Sequence, residues 1–529
     1  MNMLNEIIAW VLITSAVADM WAVYARDLMM LQQNSYRKER YYRWFSQSGE
    51  STNIGRIMCC IALLFLLVHH IPFFAGAAVG VIIAVWQCIS LLRKKYKKPL
   101  VWTPRVRRIC GVMWGISAVI AALTGIFGGL AALCAVLLGM LVVSPMIMLL
   151  ANDILRPVEK HINKKYYDEA ASILASMPNL KIIGITGSYG KTSTKHYLQR
   201  ILSEHFSTAM TPGSFNTTMG VIRTVREYLK PYDEVFIVEM GAKQPGDIKE
   251  ICDLVHPQAG IITAVGEQHL ESFKTIENVQ RTKFELADAV PADGFVVLNN
   301  DFPYVANRKV DNTKALRYGV SSPDKADFVA SDIKYSPTGT TFTISGTGMA
   351  RPMEIHTKLV GECNVSNLMA AVIVALRLGV PEAKIRYAAE QIEQVEHRLN
   401  MKHIPGGYTI IDDAFNSNPA GSKMALEVLA MMTPGKRIVI TPGMIELGDL
   451  QEKANEEFGR NIARCADVAI IVGQYNRDAI LAGIAEGPIK EENVHTVDSF
   501  AEAQRLLQKS IGRPGDTVLY ENDLPDTFK

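Results

Sequence analysis

Five apolar stretches crowd into residues 1–155, and they constrain the fold more than anything else in the chain. They run Leu4–Tyr24, Ile57–Phe73, Phe74–Leu92, Ile109–Leu130 and Ala131–Leu150. A bilayer core about 30 Å thick takes about 20 helical residues to cross. Backbone groups inside it must bond within their own segment, so stretches of this length are read as helices. The second and third are joined only by the bend Ile71-Pro72-Phe73, and Gly128-Gly129 marks a turn between the fourth and fifth. The first stretch lacks a basic leader and a small-residue cleavage site, so it reads as a span and not a signal peptide. The mean hydropathy of +0.11 is high for a soluble enzyme, and the excess sits in this third of the chain.

Charge in the connecting loops sets an orientation. Residues 25–56 carry Arg26, Arg37, Lys38, Arg40, Arg43 and Arg56; residues 93–108 carry eight basic residues and no acid. The two bends carry no Lys or Arg. The excess of positive charge belongs on the cytoplasmic side. With five spans the N-terminus is then outside and everything after Leu150 inside. This predicts a multi-pass membrane protein with everything after Leu150 on the cytoplasmic side. The basic run 93–98 is read as a topology determinant rather than a lipid-headgroup site. Asp19 is the one carboxylate well inside a span, near enough to Arg26 in sequence to pair with it. A net charge of +2 gives no general attraction to nucleic acid, and the eight cysteines show no metal or disulfide spacing.

Beyond residue 155 the pattern changes to alternating strands and helices. Residues 156–177 read as a helical linker. Lys181–Lys195, KIIGITGSYGKTSTK, then gives an apolar strand, a glycine loop, Lys-Thr and a helix. That is the layout of a phosphate-binding loop, in the shortened form T-G-x-x-G-K-T. Thr186, Gly187, Ser188, Gly190, Lys191, Thr192 and Ser193 are the expected nucleotide contacts. Loop amides and the helix N-terminus face anionic oxygens, Lys191 reaches terminal phosphates, and Thr192 offers its hydroxyl to magnesium. Val235–Gly241 reads as a buried strand carrying Glu239 near its end, well placed for the same metal. Ala259–Val265 leads to His269, and Lys283 lies on a helix from Ile276 to Ala289. Val296–Asp301 is a further strand with a polar end.

Taken in order, T-G-S-Y-G-K-T-S-T-K, E-M-G-A, G-E-Q-H-L-E, a Lys before F-E-L, and L-N-N-D resemble the Mur ligase family. These are ATP-dependent amide ligases that build the peptide of bacterial cell-wall precursors. The resemblance covers about residues 178–520 and is nearest to the branch that adds D-alanyl-D-alanine to a UDP-linked tripeptide. It implies that Lys191 and Thr192 bind ATP phosphates and Mg2+, that Glu239 and His269 are magnesium ligands, and that Lys283 is the lysine carbamylated by carbon dioxide. It further implies that Asn299 lies near the adenine and that Arg398 meets the nucleotide across a domain gap. Asn216, Thr217, Asn364, Asn416 and Asn418 are the expected substrate contacts.

Three positions depart from the family pattern. Cys363 stands where the G-x-H-N-x-x-N signature has histidine, in Gly361-Glu362-Cys363-Asn364. Phe415 replaces a tyrosine in Asp412-Asp413-Ala414-Phe415-Asn416-Ser417-Asn418-Pro419. Tyr520-Glu521-Asn522-Asp523-Leu524-Pro525-Asp526 stands where a basic K-G-S-R-like run is usual. The usual N-terminal UDP-sugar domain gives way to the apolar segments.

The expected architecture is therefore a transmembrane helical domain (1–155), the linker (156–177), an α/β phosphate-loop domain (178–398) and a Rossmann-like α/β domain (399–529). The expected chemistry is phosphorylation of a substrate carboxylate by ATP and attack of an amine on the acyl phosphate. The partners would be a nucleotide- or lipid-linked peptide precursor, an amino acid or dipeptide, and membrane lipids, with no nucleic acid. The same chemistry on a polymer such as poly-γ-glutamate, a phosphate-loop-driven transporter, and a scaffold with weakened catalysis are the alternatives.

Overall fold

The computed structural model describes residues 3–68, 71–96, 98–268, 270–322, 325–336, 338–404, 407–415 and 417–523. His269, Asn416 and Lys97, all singled out from sequence, lie outside them. The described chain divides into two compact units, one up to Lys164 and the other Lys165–Asp523.

The first unit is all helix. Among the described residues four helices are long and apolar enough to cross a membrane: Met3–Gln33, Glu50–Leu67, Phe73–Arg93 and Pro104–Val142. The fourth expected span and most of the fifth fall in one of these runs, Pro104–Val142, as two helical halves parted at Gly129, where the sequence placed a turn. That run is 39 residues long, about 58 Å if straight at 1.5 Å per residue, far more than one crossing needs. It does not stay straight. Gly129 adopts φ 73°, ψ −173°, which breaks the helical path where a side chain would be strained. The partners on either side show a reversal. Ser117 bonds Tyr24 at 2.6 Å, Cys134 lies 3.7 Å from the Ala9 carbonyl, and Ser144 donates to Asp27 at 2.6 Å. The segment therefore runs alongside the first helix, turns at Gly129, and returns. The expected span Ala131–Leu150 is interrupted at Val143, just before Pro145 in the next helix, Ser144–Ala175. Proline cannot continue a helical ladder from preceding carbonyls.

The charges within this unit are paired differently from the sequence expectation. Arg26 binds Glu50, not Asp19, and Arg56 reaches Asp27 at 3.3 Å. Among the described residues neither carboxylate oxygen of the buried Asp19 has a hydrogen-bond partner.

The second unit holds two sheets. The first has nine strands: β1 Lys181–Thr186, β2 Thr208–Met210, β3 Val235–Glu239, β4 Ala259–Ile262, β5 Phe295–Asn299, β6 Lys314–Gly319, β7 Phe328–Ser336, β8 Gly339–Gly346 and β9 Met353–Thr357. Their order is β2-β3-β1-β4-β5-β6-β7-β8-β9. Pairing is parallel from β2 to β7 and antiparallel across β7, β8 and β9. β1 is flanked by β3 and β4, so the order reverses about it, and the segments leaving these strands share one edge. Ligands of open α/β sheets bind at such a switch point. The helix Glu362–Arg377 packs over this sheet with residues 364–375 all buried.

The second sheet comprises β10 Asn400–His403, β11 Thr409–Asp413, β12 Arg437–Thr441, β13 Val468–Val472, β14 Val494–Val497 and β15 Thr517–Glu521, in the order β10-β11-β15-β12-β13-β14. All pairs are parallel except β10–β11. This agrees with the Rossmann-like expectation, with one antiparallel edge strand added. All eight cysteines are free.

Candidate functional site

The phosphate loop follows β1 directly and opens the helix Lys191–Leu202. Its two glycines are sterically required. A Cβ on Gly187 would sit 2.1 Å from Thr263 Oγ1, and one on Gly190, at φ +78°, 2.2 Å from Asn367 Oδ1. Lys191 Nζ turns back on the loop and donates to the carbonyls of Gly187 (2.5 Å) and Ser188 (3.2 Å). Burial of this ammonium lowers its pKa from the usual lysine value to about 8, Glu239 offsetting part of the effect and Arg398 adding to it.

Glu239 ends β3 and is 1 % exposed. Its Oε1 accepts from Thr192 Oγ1 at 3.3 Å and from Asn216 Nδ2 at 3.0 Å. Its Oε2 lies 3.0 Å from Lys195 Nζ. Burial alone would raise this carboxyl, but Lys195 and Lys191 together overcome that and hold it below its ordinary value. Lys283 is 2 % exposed on the helix Ile276–Ala289. Burial, reinforced by the charge of Lys191, holds its ammonium well below the usual lysine range.

The third contribution comes from the second sheet's domain. Arg398 lies 4.5 Å over the Phe415 ring and donates to the Phe415 carbonyl at 3.0 Å. It lines one cavity with Ser188, Gly190, Lys191, Thr192, Ser193, Asn364, Asp413 and Asn418. A second cleft of about 640 Å³ adjoins it, walled by Thr192, His196, Gly213, Ser214, Gln394, His397 and Arg398.

The structure thus bonds Thr192 and Asn216 to Glu239, with Lys191 and Arg398 close enough to act on that carboxylate electrostatically and Lys283 close enough to feel Lys191. Other residues singled out from sequence have their side chains engaged internally. Thr186 donates to the Met240 carbonyl. Ser188 bonds the backbone of Gly266. Asn299 donates to Thr263 O and Ser366 and accepts from Asp301 N. Asn364 binds Tyr197 and Val360 O. Thr217 and Asn418 cap the helices Thr218–Glu227 and Pro419–Ala430.

Two features escaped the sequence reading. Lys195, four residues after Lys191, is 0 % exposed and binds Glu239. Its signal was a charged residue on the face of the helix that also carries buried Leu198 and Leu202. Of the acidic run at the end of β15, Glu521 is buried and Asp523 exposed, and residues 524–526 lie outside the described residues. Glu521 pairs in register with Asp413 and accepts from Ser417. Burial pushes both carboxyls up, Glu521 well above its ordinary value.

The donor set suits Mg2+. A hydroxyl and a carboxylate oxygen, 3.3 Å apart beside a phosphate loop, are hard ligands of the kind this ion takes alongside phosphates.

Sequence and structure comparisons agree with the geometry. The profile of the Mur ligase middle domain matches residues 185–375, and that of the Mur ligase, glutamate ligase domain residues 397–520. The UDP-N-acetylmuramoyl-tripeptide–D-alanyl-D-alanine ligase of Bacillus subtilis is 29 % identical over 377 residues, covering 71 % of this chain and 78 % of its own length. The protein of the same description from Mycobacterium tuberculosis is 32 % identical over 372 residues, covering 66 % and 71 %. Among solved structures, MurF from Acinetobacter baumannii matches with a TM-score of 0.61 at 26 % identity, over 68 % of this chain and 77 % of that one.

Proposed function

The chain belongs to the Mur ligase family of ATP-dependent amide-forming ligases, and on that premise we propose that it adds D-alanyl-D-alanine to the peptide of a nucleotide-linked cell-wall precursor. One observation carries this reading. Lys191 and Thr192 of the first sheet's domain and Arg398 and Asn418 of the second's line a single cavity, with Glu239 bonded behind Thr192.

In this reading ATP lies along the loop, with its phosphates on the amides of residues 187–192. Lys191 exchanges the loop carbonyls for terminal phosphate oxygens. Arg398 meets the γ-phosphoryl from the opposite wall as it passes to the substrate carboxylate, forming an acyl phosphate and ADP. The amine of the dipeptide attacks the acyl carbon, phosphate leaves, and the amide forms. Bound Mg2+, held by Thr192 and Glu239, would neutralise phosphate charge. Lys283 would serve as a carbamate: burial favours its uncharged amine, the form that reacts with carbon dioxide. His269 and Asn416 keep their proposed roles as metal and substrate contacts. The adjoining cleft is where we place the precursor peptide, between Gly213-Ser214 and Arg398. Closing the two walls on the acyl phosphate would exclude water from it.

We also propose that the first unit is membrane-embedded, with the ligase domains cytoplasmic. Helix length and hydropathy and the basic loops 25–56 and 93–108 support this. Salt-resistant fractionation with membranes is the expected result.

The deciding assay supplies ATP, D-alanyl-D-alanine and either the UDP-linked tripeptide or its lipid-linked counterpart, with products read by mass spectrometry. Ligation of the UDP-linked peptide is expected, and loss of substrate-dependent ADP release in Lys191→Ala. Undiminished release in that variant would refute the assignment.

A further inference from the structure

Lys195 is wholly buried, and a buried ammonium costs several kcal/mol unless it is paired. Here it is paired twice. Nζ lies 3.0 Å from Glu239 Oε2 and donates to the Gly213 carbonyl at 2.7 Å. It therefore ties together the phosphate-loop helix, the end of β3 and the loop of residues 211–217.

The pairing divides the Glu239 carboxylate. Oε2 faces the Lys195 ammonium, and Oε1 faces the Thr192 hydroxyl and the Asn216 amide. The same loop holds the backbone, because Glu239 N donates to Thr211 Oγ1 at 3.0 Å. Aiming the carboxylate thus does not require Lys195 alone. What Lys195 adds is a positive charge in direct contact with Oε2.

A charge count follows. Glu239 brings one negative charge, and the carbamate proposed at Lys283 would bring a second; Lys195 and Lys191 balance these, and Arg398 adds a further positive charge. Among the described residues no group of three or more His, Cys, Asp or Glu side chains is placed to hold a metal ion. A divalent cation meeting the nucleotide-free site finds suitable oxygens but no net negative charge. At partly buried positions, where the effective dielectric constant is about 20, each unit charge a few ångströms away weighs heavily. ATP or ADP phosphates bring three or four negative charges and reverse the balance.

We infer that Lys195 is a fixed counter-charge that keeps divalent metal off Glu239 until nucleotide phosphates arrive, so that the metal enters only together with nucleotide. The inference rests on the reading of this loop as a nucleotide site. It makes Lys195 a positioning residue, acting through Glu239, and gives metal and nucleotide a fixed order of entry.

The test measures metal binding, not turnover. The full-length protein in detergent is dialysed against Mn2+ with and without ADP, as wild type, Lys195→Met, Lys195→Gln and Lys195→Met/Glu239→Gln. Wild type is expected to retain Mn2+ at least about tenfold more tightly with ADP than without it. Either single variant should gain nucleotide-free retention by about the same factor, and the double variant should lose that gain. Lys195→Gln keeps a donor for Gly213 and stands in if Lys195→Met does not fold. Nucleotide-free wild type that holds Mn2+ as tightly as the ADP-loaded protein overturns the inference without any variant. So does a folded, ADP-binding Lys195 variant that shows no gain. Failure of wild type to bind ADP at all would instead refute the nucleotide site.

Discussion

Nucleotide binding should be coupled to proton uptake through Lys191, with a slope that the structure sets. In the empty site the ammonium is turned into the loop, and burial brings its pKa to about 8. Bound phosphates would stabilise the charged form and return it toward the ordinary lysine value of about 10.4. At pH 7 the free protein already carries this proton, and little is taken up on binding. At pH 9 only about one molecule in ten carries it, so binding must draw about 0.9 proton from solution. Affinity should then fall about tenfold from pH 7 to pH 9, and about sevenfold over the next unit. The sign for folding is the reverse. The empty fold binds fewer protons than the unfolded chain between pH 8 and 10.5, so this group makes the empty fold more stable as pH rises through that window. The assay is ADP affinity without metal from pH 7.5 to 9.5, above the phosphate's own ionisation near pH 6. Calorimetry in two buffers of different ionisation enthalpy counts the protons. A flat affinity across that range, or a slope that survives in Lys191→Met, would refute the reasoning.

Three further outcomes are expected. Gly190→Ala forces a side chain into φ +78° and against Asn367, so ADP affinity should drop about tenfold or more while circular dichroism is retained; undisturbed affinity would contradict the steric reading. In Glu521→Gln the fall in stability with rising pH should flatten. Buried carboxyls with raised pKa values contribute stability below their unfolded pKa and lose it as pH rises through the folded one, and denaturant melts at pH 4.5 and 7.5 read the difference. Arg56→Met leaves Asp27 buried without its cation and should cost about 3–5 kcal/mol, seen as a lower thermal midpoint in detergent, whereas Asp27→Asn/Arg56→Met should recover much of it.

The central strands were legible because parallel strands buried on both faces read as short unbroken apolar runs. Ile182–Ile185, Phe236–Val238 and Val468–Val472 all announce themselves this way. The extension β7–β9 was not seen. Its strands alternate, as in Met353–Thr357 with every second residue exposed, and they carry Lys, Asp, Glu and His among their β-formers. Only pairing with a distant edge makes such segments strands. Side-chain direction was the other hidden quantity. Asn364 and Asn299 read as contacts for a ligand, yet their amides are taken up by Tyr197 and by Thr263 and Ser366. Lys195 and Glu521 read as ordinary charged residues, yet both are enclosed by partners far away in sequence. Residue type and spacing locate the chemistry at a strand end, but which way a polar group faces depends on contacts the local sequence does not contain.

The same distinction decides what the departures from the family pattern mean. Cys363 lines the cavity, but burial lifts its thiol to about pKa 12, so it acts as a neutral wall and offers neither a thiolate nor an imidazole's proton. Phe415 has lost a hydroxyl but keeps a ring under the Arg398 guanidinium, and its backbone carbonyl holds the same arginine. Glu521 removes a positive charge from the end of β15 without exposing a negative one. Cys363 and Phe415 line the cavity, Cys363 from the helix Glu362–Arg377 over the first sheet and Phe415 from the second sheet's domain, while Glu521 is buried at the end of β15; none of them belongs to the group of Lys191, Thr192, Glu239 and Lys195. In the proposed mechanism phosphoryl transfer rests on that group, and we place recognition of the amine on the Phe415 side of the cavity. The departures should therefore show in which amine is accepted before they show in whether ATP is cleaved. Restoring the hydroxyl with Phe415→Tyr should change the KM for D-alanyl-D-alanine while leaving the KM for ATP within about twofold, since the ring that Arg398 stacks on is retained in both.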